Sequence, residues 1–216
     1  MPFCQELEEI TRYQTNQLHK AGVKVLLETE ATLPLLEKHK PDAIVLASGS
    51  SPILPDIPGI YLENVCTATE VIRNIKQVGQ EVAIIGGGFI GAELAEYLTD
   101  QGKKVTIIKE SAQITVHPEF YNIRLLVWRL NQKGVKVLIN CKTKSIGRNG
   151  VTIERMGQEE LIKADSVVIA KGMKSDRSLL NTLDQSRWKV SLVGDCVEPN
   201  RILEAVADGA KIARQI

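Results

Sequence analysis

The sequence predicts an α/β fold with two nucleotide-type sheets, and three observations carry that expectation. Strand-like apolar runs alternate with helix-like stretches along the 216 residues, with a single hairpin excursion. Ala43 to Ala47 is continuously apolar, as in a strand buried on both faces, and Ser166 to Ala170 reads as one more buried strand. The same two runs echo one another: Asp42 to Gly49 (DAIVLASG) and Asp165 to Gly172 (DSVVIAKG) each end a buried strand at a small-residue turn. Two related half-molecules explain the echo economically; chance similarity of two buried strands is the alternative.

The elements follow in order. Glu6 to Ala21 reads as an amphipathic helix, with Leu7, Ile10, Tyr13, Gln14 and Leu18 near helical spacing and Gly22 as its stop. Val23 to Leu27 is predicted as a short strand, and Pro34 to His39 as one helical turn before the first buried run. Ser48 to Ser51 closes that run; Pro52, Pro55, Pro58 and Gly59 mark an irregular extended link, and Thr69 to Lys76 a short helix. Glu81 to Ile85 is a strand that runs straight into Gly86-Gly87-Gly88-Phe89-Ile90-Gly91, a helix and a second strand, Lys104 to Ile108. His117-Pro118 precedes a helix from Glu119 to Lys133, in which Ile123, Leu126, Val127 and Leu130 share a face. Gly134 stops it, Val135 to Ile139 is a strand, and Asn149-Gly150 signals a two-residue hairpin. Beyond Lys171-Gly172 a polar connector leads to a strand, Lys189 to Val193, then Gly194-Asp195 and a helix from Leu203 to Arg214.

Composition narrows the function. With 27 basic and 26 acidic residues, no electrostatic footprint points to nucleic acid or an anionic membrane. The longest apolar stretches are strand-length, short of the roughly 20 residues a membrane helix needs. No signal segment opens the chain, so a soluble, cytoplasmic protein is expected. Cys4, Cys66, Cys141 and Cys196 are too scattered for a zinc or iron–sulfur spacing and read as reduced, mostly buried thiols. His19, His39 and His117 are dispersed, the first two as solvent-facing or loop residues.

The chemistry lies in the glycine run. G-x-G-x-x-G between a strand and a helix, within a βαβ unit, is a dinucleotide fingerprint. Gly86 allows the tight turn, Gly88 lets backbone approach a pyrophosphate, and Gly91 lets helix and strand pack closely. The pyrophosphate would meet free N–H groups at the positive end of the helix dipole.

Three segments together resemble the flavoprotein family with two dinucleotide-binding domains, in which a nicotinamide domain is inserted into an FAD domain. They are Asp42 to Gly49 with the following Pro55 to Gly59, the fingerprint Gly86 to Glu93, and Val193 to Arg201 (VGDCVEPNR) with its helix. The chain is most similar to the C-terminal region of the 2,4-dienoyl-CoA reductase, enoate reductase and trimethylamine dehydrogenase group. The resemblance covers essentially the whole chain. It implies two Rossmann-like nucleotide-binding domains: a complete NAD(P) domain over 78–184, inside an incomplete FAD domain formed by 1–77 and 185–216. It also implies hydride transfer from NAD(P)H to FAD, with an FMN barrel that reduces an enoyl-type double bond.

Two departures shape what is expected of this chain. No G-x-G-x-x-G precedes Gly86, and the barrel and its cysteine cluster are missing, so the chain reads as a family member truncated at its N-terminus. NAD(P)H is therefore the expected cofactor. FAD belongs to the full-length member and is expected to bind this chain poorly or not at all. A homodimer mate or partner chain would cover the exposed sheet edge, and catalytic competence alone is not expected. The second departure is at the ribose position about 20 residues past the glycines, normally acidic. Lys109 stands there with Glu110 next; the balance leans to NADH because Glu110 is adjacent and no arginine cluster follows, and NADPH stays open.

The resemblance places Glu93 on the nicotinamide side, against a plain dipole-favoured carboxylate. It places Gly172 beside the nicotinamide ribose, against a simple turn glycine, and Ser48, Gly49, Gly194 and Asp195 along the flavin. Phe89 and Ile90 read as core contacts before cofactor contacts. Trp128 and Trp188 read as packing residues, and Lys103, Lys104, Lys142 and Lys144 as solvated faces. The alternative functions are a non-catalytic nucleotide-binding or interaction module, and a disulfide reductase. The latter needs a redox-active cysteine near the flavin, for which Cys196 is the one to watch.

Overall fold

A computed structural model describes residues 5–112, 121–184 and 186–216. Cys4, His117, Pro118 and Glu119 lie outside them. In chain order the elements are α1 (Glu8–Lys20), α2 (Leu33–His39), β1 (Ala43–Leu46), β2 (Ser50–Pro52), β3 (Val65–Thr67) and α3 (Ala68–Ile72). Then come β4 (Glu81–Ile85), α4 (Phe89–Asp100), β5 (Lys104–Ile108), α5 (Tyr121–Gln132), β6 (Lys136–Leu138), β7 (Lys142–Gly147), β8 (Gly150–Arg155) and β9 (Gln158–Lys163). The chain closes with β10 (Ser166–Ile169), β11 (Met173–Ser175), β12 (Lys189–Leu192) and α6 (Ile202–Ala213). The fold is a Rossmann-type α/β fold, and it divides into two compact units: Pro52–Gly172, and Glu6–Ser51 with Met173–Ile216.

The first unit is built on a five-stranded parallel sheet in the order β3-β10-β4-β5-β6. Strand side chains alternate between faces, and here both faces are covered. Val82 and Ile84 of β4, Val105 and Ile107 of β5 and Val168 of β10 pack with Leu94, Leu98 and Leu130 of the helices. Ala83, Ile85, Ile108, Val167 and Ile169 face Val151, Ile153 and Ile162 of an antiparallel meander, β7-β8-β9. This is why the strands read as unbroken apolar runs.

The meander turns differ from the predicted one. Gly147 pairs with Gly150, so the loop is Arg148 and Asn149, one residue earlier than expected. Gly150 belongs to β8 instead, paired with Lys163 of β9, and a Cβ there would overlap the Ile162 carbonyl. The second hairpin turns at Met156 and Gly157, both at positive φ as a type I′ turn demands.

The second unit is smaller. β1 and β12 pair in parallel, Ala43 opposite Lys189, and Ile44, Leu46, Leu183 and Trp188 form its buried cluster with Leu33 and Leu36 of α2 at the margin. α1 and α6 bury none of their residues. Val23–Leu27 is not a strand: it runs as irregular chain with Val23, Val25, Leu26 and Leu27 exposed, since among the described residues no strand pairs with it. An apolar pattern alone does not make a strand without a ladder to join.

Two other expectations are corrected. Trp188 packs, but Trp128 is 57% exposed on the outer face of α5. Lys103 is not a solvated charge: its ammonium donates to the carbonyls of Val78 (2.8 Å) and Gly79 (3.0 Å), tying the turn before β5 to the turn before β4.

The α4–α5 contact carries a buried charge. Glu96 is only 4% exposed, and Arg129 chelates it at 2.6 and 3.0 Å while Lys133 adds 2.9 Å. The Arg129 hydrogen bonds, more than burial opposes them, hold the Glu96 carboxyl below its usual pKa. A carboxyl lowered on folding stabilises the protein above its unfolded value and loses that contribution as pH falls through the folded one. Glu96→Gln is therefore expected to cost on the order of 2 kcal/mol near neutrality, the scale of hydrogen bonds to a charged group. The gap to the parent protein should close as the pH drops below about 4, as measured by urea melts across pH; a gap that is constant with pH would remove the ion cluster as its cause.

Candidate functional site

The fingerprint sits where the order of the first sheet reverses. After β4 the chain moves to β5 and β6 on one side, while β10 and β3 lie on the other. Ligands of open α/β sheets bind at the C-terminal strand ends beside such a switch point. Backbone hydrogen bonds anchor the loop there: Gly86 N–H donates to Ile108 O at 2.9 Å, and Ala170 N–H to Ile85 O at 2.8 Å.

The three fingerprint glycines have separate duties. Gly86, at φ +116°, leaves no room for a Cβ, which would overlap the Ala170 carbonyl; a Cβ on Gly91 would overlap the carbonyl of Gly86. Gly88 is the opposite case. A Cβ there meets nothing within 4 Å, and its φ of −79° suits any residue. Gly88 caps α4, and the first helix bond runs from Ala92 N–H to Gly88 O at 2.9 Å. The first N–H groups of such a helix have no partner within the helix and suit an anion.

Around this loop the structure places the other expected residues of the first unit. Ile90 packs on the core and Phe89 is half-exposed. Glu93 is half-buried, and burial, then the charge of Glu96, pushes its pKa up. It lies in the second turn of α4, where the dipole has faded. Lys109 lies against Gly87, its ammonium donating to Gly87 O at 3.2 Å; burial and the charge of Lys171 hold its pKa below the ordinary lysine value. Glu110 pairs with Lys171 at 3.2 Å. Gly172, at φ +107°, is exposed and accepts from Ile53 N–H at 3.0 Å. Gly87 and Lys171 were not singled out from the sequence; each acts across strands, where no local pattern reveals it.

The second unit gathers the remaining candidates. Asp195 accepts from Ser50 Oγ at 2.9 Å and from Asn200 N–H at 3.2 Å. Gly194 N–H donates to Asp208 at 3.3 Å. Ser48 Oγ donates to Asp176 O at 2.6 Å, and Gly49, at φ +77°, has open space where a Cβ would stand. Ser50 and Asp208 were missed, Asp208 because it comes from a helix 14 residues on. Cys196 is fully buried, its Sγ at 3.1 Å from the carbonyls of Leu46 and Val193. Cys66 and Cys141 are buried as well, and desolvation pushes the Cys66 thiol up to about 11.

A Rossmann-type dinucleotide-binding class is what this fold and loop define. The profile of the pyridine nucleotide-disulphide oxidoreductase family matches residues 8–209, and the chain belongs to that family. It is 30% identical over 206 residues to an NADH oxidase of Thermoanaerobacter brockii, covering 93% of this chain and 32% of the relative. It is 29% identical over 213 residues to a cinnamate reductase of Clostridium sporogenes, covering 96% and 31%. The structure superposes on a 2-naphthoyl-CoA reductase with a TM-score of 0.94 at 31% identity, over 100% of this chain and 33% of the other. The chain thus spans about a third of the length of the curated relatives it matches. No helix among the described residues is long and apolar enough to cross a membrane.

The glycine geometry separates folding from binding. Gly91→Ala is expected to destabilise by about 1–3 kcal/mol through overpacking. Gly88→Ala should leave the melting temperature nearly unchanged yet weaken dinucleotide binding about tenfold or more, as its methyl occupies the open face. Calorimetric melts beside NADH and NADPH titrations read both; unimpaired binding by Gly88→Ala would place the pyrophosphate elsewhere.

Proposed function

We propose that this chain is the FAD/NAD(P)-binding part of a pyridine nucleotide:flavin oxidoreductase that passes hydride from NAD(P)H to FAD. The observation that carries the reading is the fingerprint loop at the switch point, closed by Gly86 and Gly91 and open at Gly88. In this reading the segment 78–184 is the nicotinamide domain, and 1–77 with 185–216 contribute to the flavin domain. Gly86, Gly88 and Gly91 admit the pyrophosphate, Glu93 and Gly172 flank the nicotinamide, and Lys109, with Glu110 next to it in the chain, stands at the adenosine ribose position.

Ser48, Gly49, Gly194 and Asp195 would lie along the flavin. Asp195 suits a polyol chain, since its carboxylate already organises Ser50 Oγ and the Asn200 N–H in a half-exposed position. Bound FAD supplies a two-electron acceptor. The protein's part is positioning: two rings held so that donor and acceptor carbons and nitrogens meet, with no strong acid or base required. No second G-x-G-x-x-G occurs in the sequence for the ADP half of FAD, so retention of free FAD is expected to be weak. Among the described residues β1 and β12 pair only with each other, and a homodimer mate or partner chain would cover their edges.

The relatives support one substrate class. Cinnamate and 2-naphthoyl-CoA, named in two of them, are unsaturated acids or acyl thioesters, which supports reduction of enoyl-type substrates by a barrel domain outside this chain. The second reading is a nucleotide-binding module without turnover.

Purified protein incubated with FAD, gel-filtered and then mixed with NADH or NADPH under anaerobic conditions tests the reading. Nicotinamide binding with bleaching of whatever flavin is retained is the expected result. Glu93→Gln should fold as well as the parent, its burial no longer costing a charge, and slow the bleaching. Binding of reduced nicotinamide without any bleaching of retained flavin would leave the non-catalytic module.

A further inference from the structure

The end of β5 carries two residues of opposite charge, and the ladder decides which of them faces the glycine loop. Lys109 donates its N–H to Leu138 O at 2.8 Å and accepts from Cys141 N–H at 3.0 Å, so hydrogen bonding beyond β5 and β6 continues through it. Ile107 packs on the α4 side of the sheet and Ile108 on the meander side. Alternation therefore puts Lys109 with Ile107. The glycine loop records the same thing: a Cβ on Gly87 would stand 2.8 Å from Lys109 Cδ and 3.3 Å from Ile107 Cγ2. The lysine stem lies along the fingerprint turn, and its ammonium reaches the Gly87 carbonyl.

Glu110 is engaged elsewhere. Its carboxylate, 61% exposed, pairs with Lys171 from the end of β10 at 3.2 Å. β10 and β5 flank β4 on opposite sides, so this ion pair spans the strand end from which the glycine loop rises. Lys109 and Lys171 are close enough for their charges to oppose one another. An anion set beside both would relieve that repulsion.

A site for NADH needs an acceptor for the ribose hydroxyls at this position, normally a carboxylate. An ammonium has three donors and no acceptor. A 2′-phosphate supplies the acceptor oxygens and about two negative charges. We propose that this cleft takes NADPH in preference to NADH, with Lys109 as the specificity-determining residue. The inference rests on the nicotinamide-binding reading above, and it runs against the lean to NADH that Glu110 gives in the sequence.

Isothermal titration of the purified chain with NADPH and NADH, and competition by 2′-AMP and 5′-AMP, tests it. NADPH is expected to bind about tenfold or more tightly than NADH, the scale of one charge-assisted contact, and 2′-AMP to compete better than 5′-AMP. Lys109→Met, which keeps the stem on Gly87, should bring the NADPH:NADH ratio toward one, and Lys109→Glu should invert it. Equal or tighter binding of NADH by the parent protein overturns the inference while leaving the nicotinamide reading in place. An unchanged ratio in folded Lys109→Met does the same. If neither dinucleotide binds the parent protein, the nicotinamide reading itself falls, and this inference with it.

Discussion

Backbone packed directly on backbone is the constraint from which the first unit follows. Gly86 lies on the carbonyl of Ala170 and Gly91 on the carbonyl of Gly86, with no side chain interposed. Three chain segments, the ends of β4 and β10 and the first turn of α4, are thereby brought closer than any other residue would allow. That approach fixes where α4 begins, and its start fixes its phase. Ala92, Leu94, Ala95 and Leu98 then fall on the sheet, and Glu96 falls at the contact with α5. The open face at Gly88 is the remainder of the same arrangement: the turn is crowded on one side and bare on the other.

The two glutamates of α4 show how position divides similar residues between stability and function. They are three residues apart, yet one carboxyl is pushed up and the other down. Glu96 receives a guanidinium and an ammonium, and it fastens α4 to α5. Glu93 is half-buried with no ion pair among the described residues, so its charge is disfavoured by its surroundings. Such a carboxylate adds no ion pair to the helix contact, unlike Glu96.

How much was legible depended on how local the cause was. The β4–α4–β5 unit could be read because a strand, three glycines and an apolar helix stand next to one another in the sequence. Both-face burial could be read from Ser166 to Ala170, since a sheet covered twice leaves no polar alternation. Val23–Leu27 could not be read correctly, because being a strand depends on a neighbour and not on composition. Trp128 misled because a large aromatic ring was taken to imply burial, although on α5 the inward positions fall to Leu126 and Leu130. The register of the family pattern points to Lys109, or to Glu110 if the strand ends one residue later. The lysine stem on Gly87 and the tie between Glu110 and Lys171 join residues about 20 and 60 apart, which spacing rules do not reach.

The antiparallel meander covers one face of the parallel sheet where another helix layer would be the commoner solution. Its inner residues, Val151, Ile153 and Ile162, are buried, whereas Met156 at one hairpin tip is almost fully exposed. Closing a longer loop at such a tip costs only an entropy that grows slowly with length. Insertions there would leave both the covered face and the glycine loop undisturbed. The meander tip is therefore where this fold can change in length, or carry an added segment, while the end of β4 can change in neither.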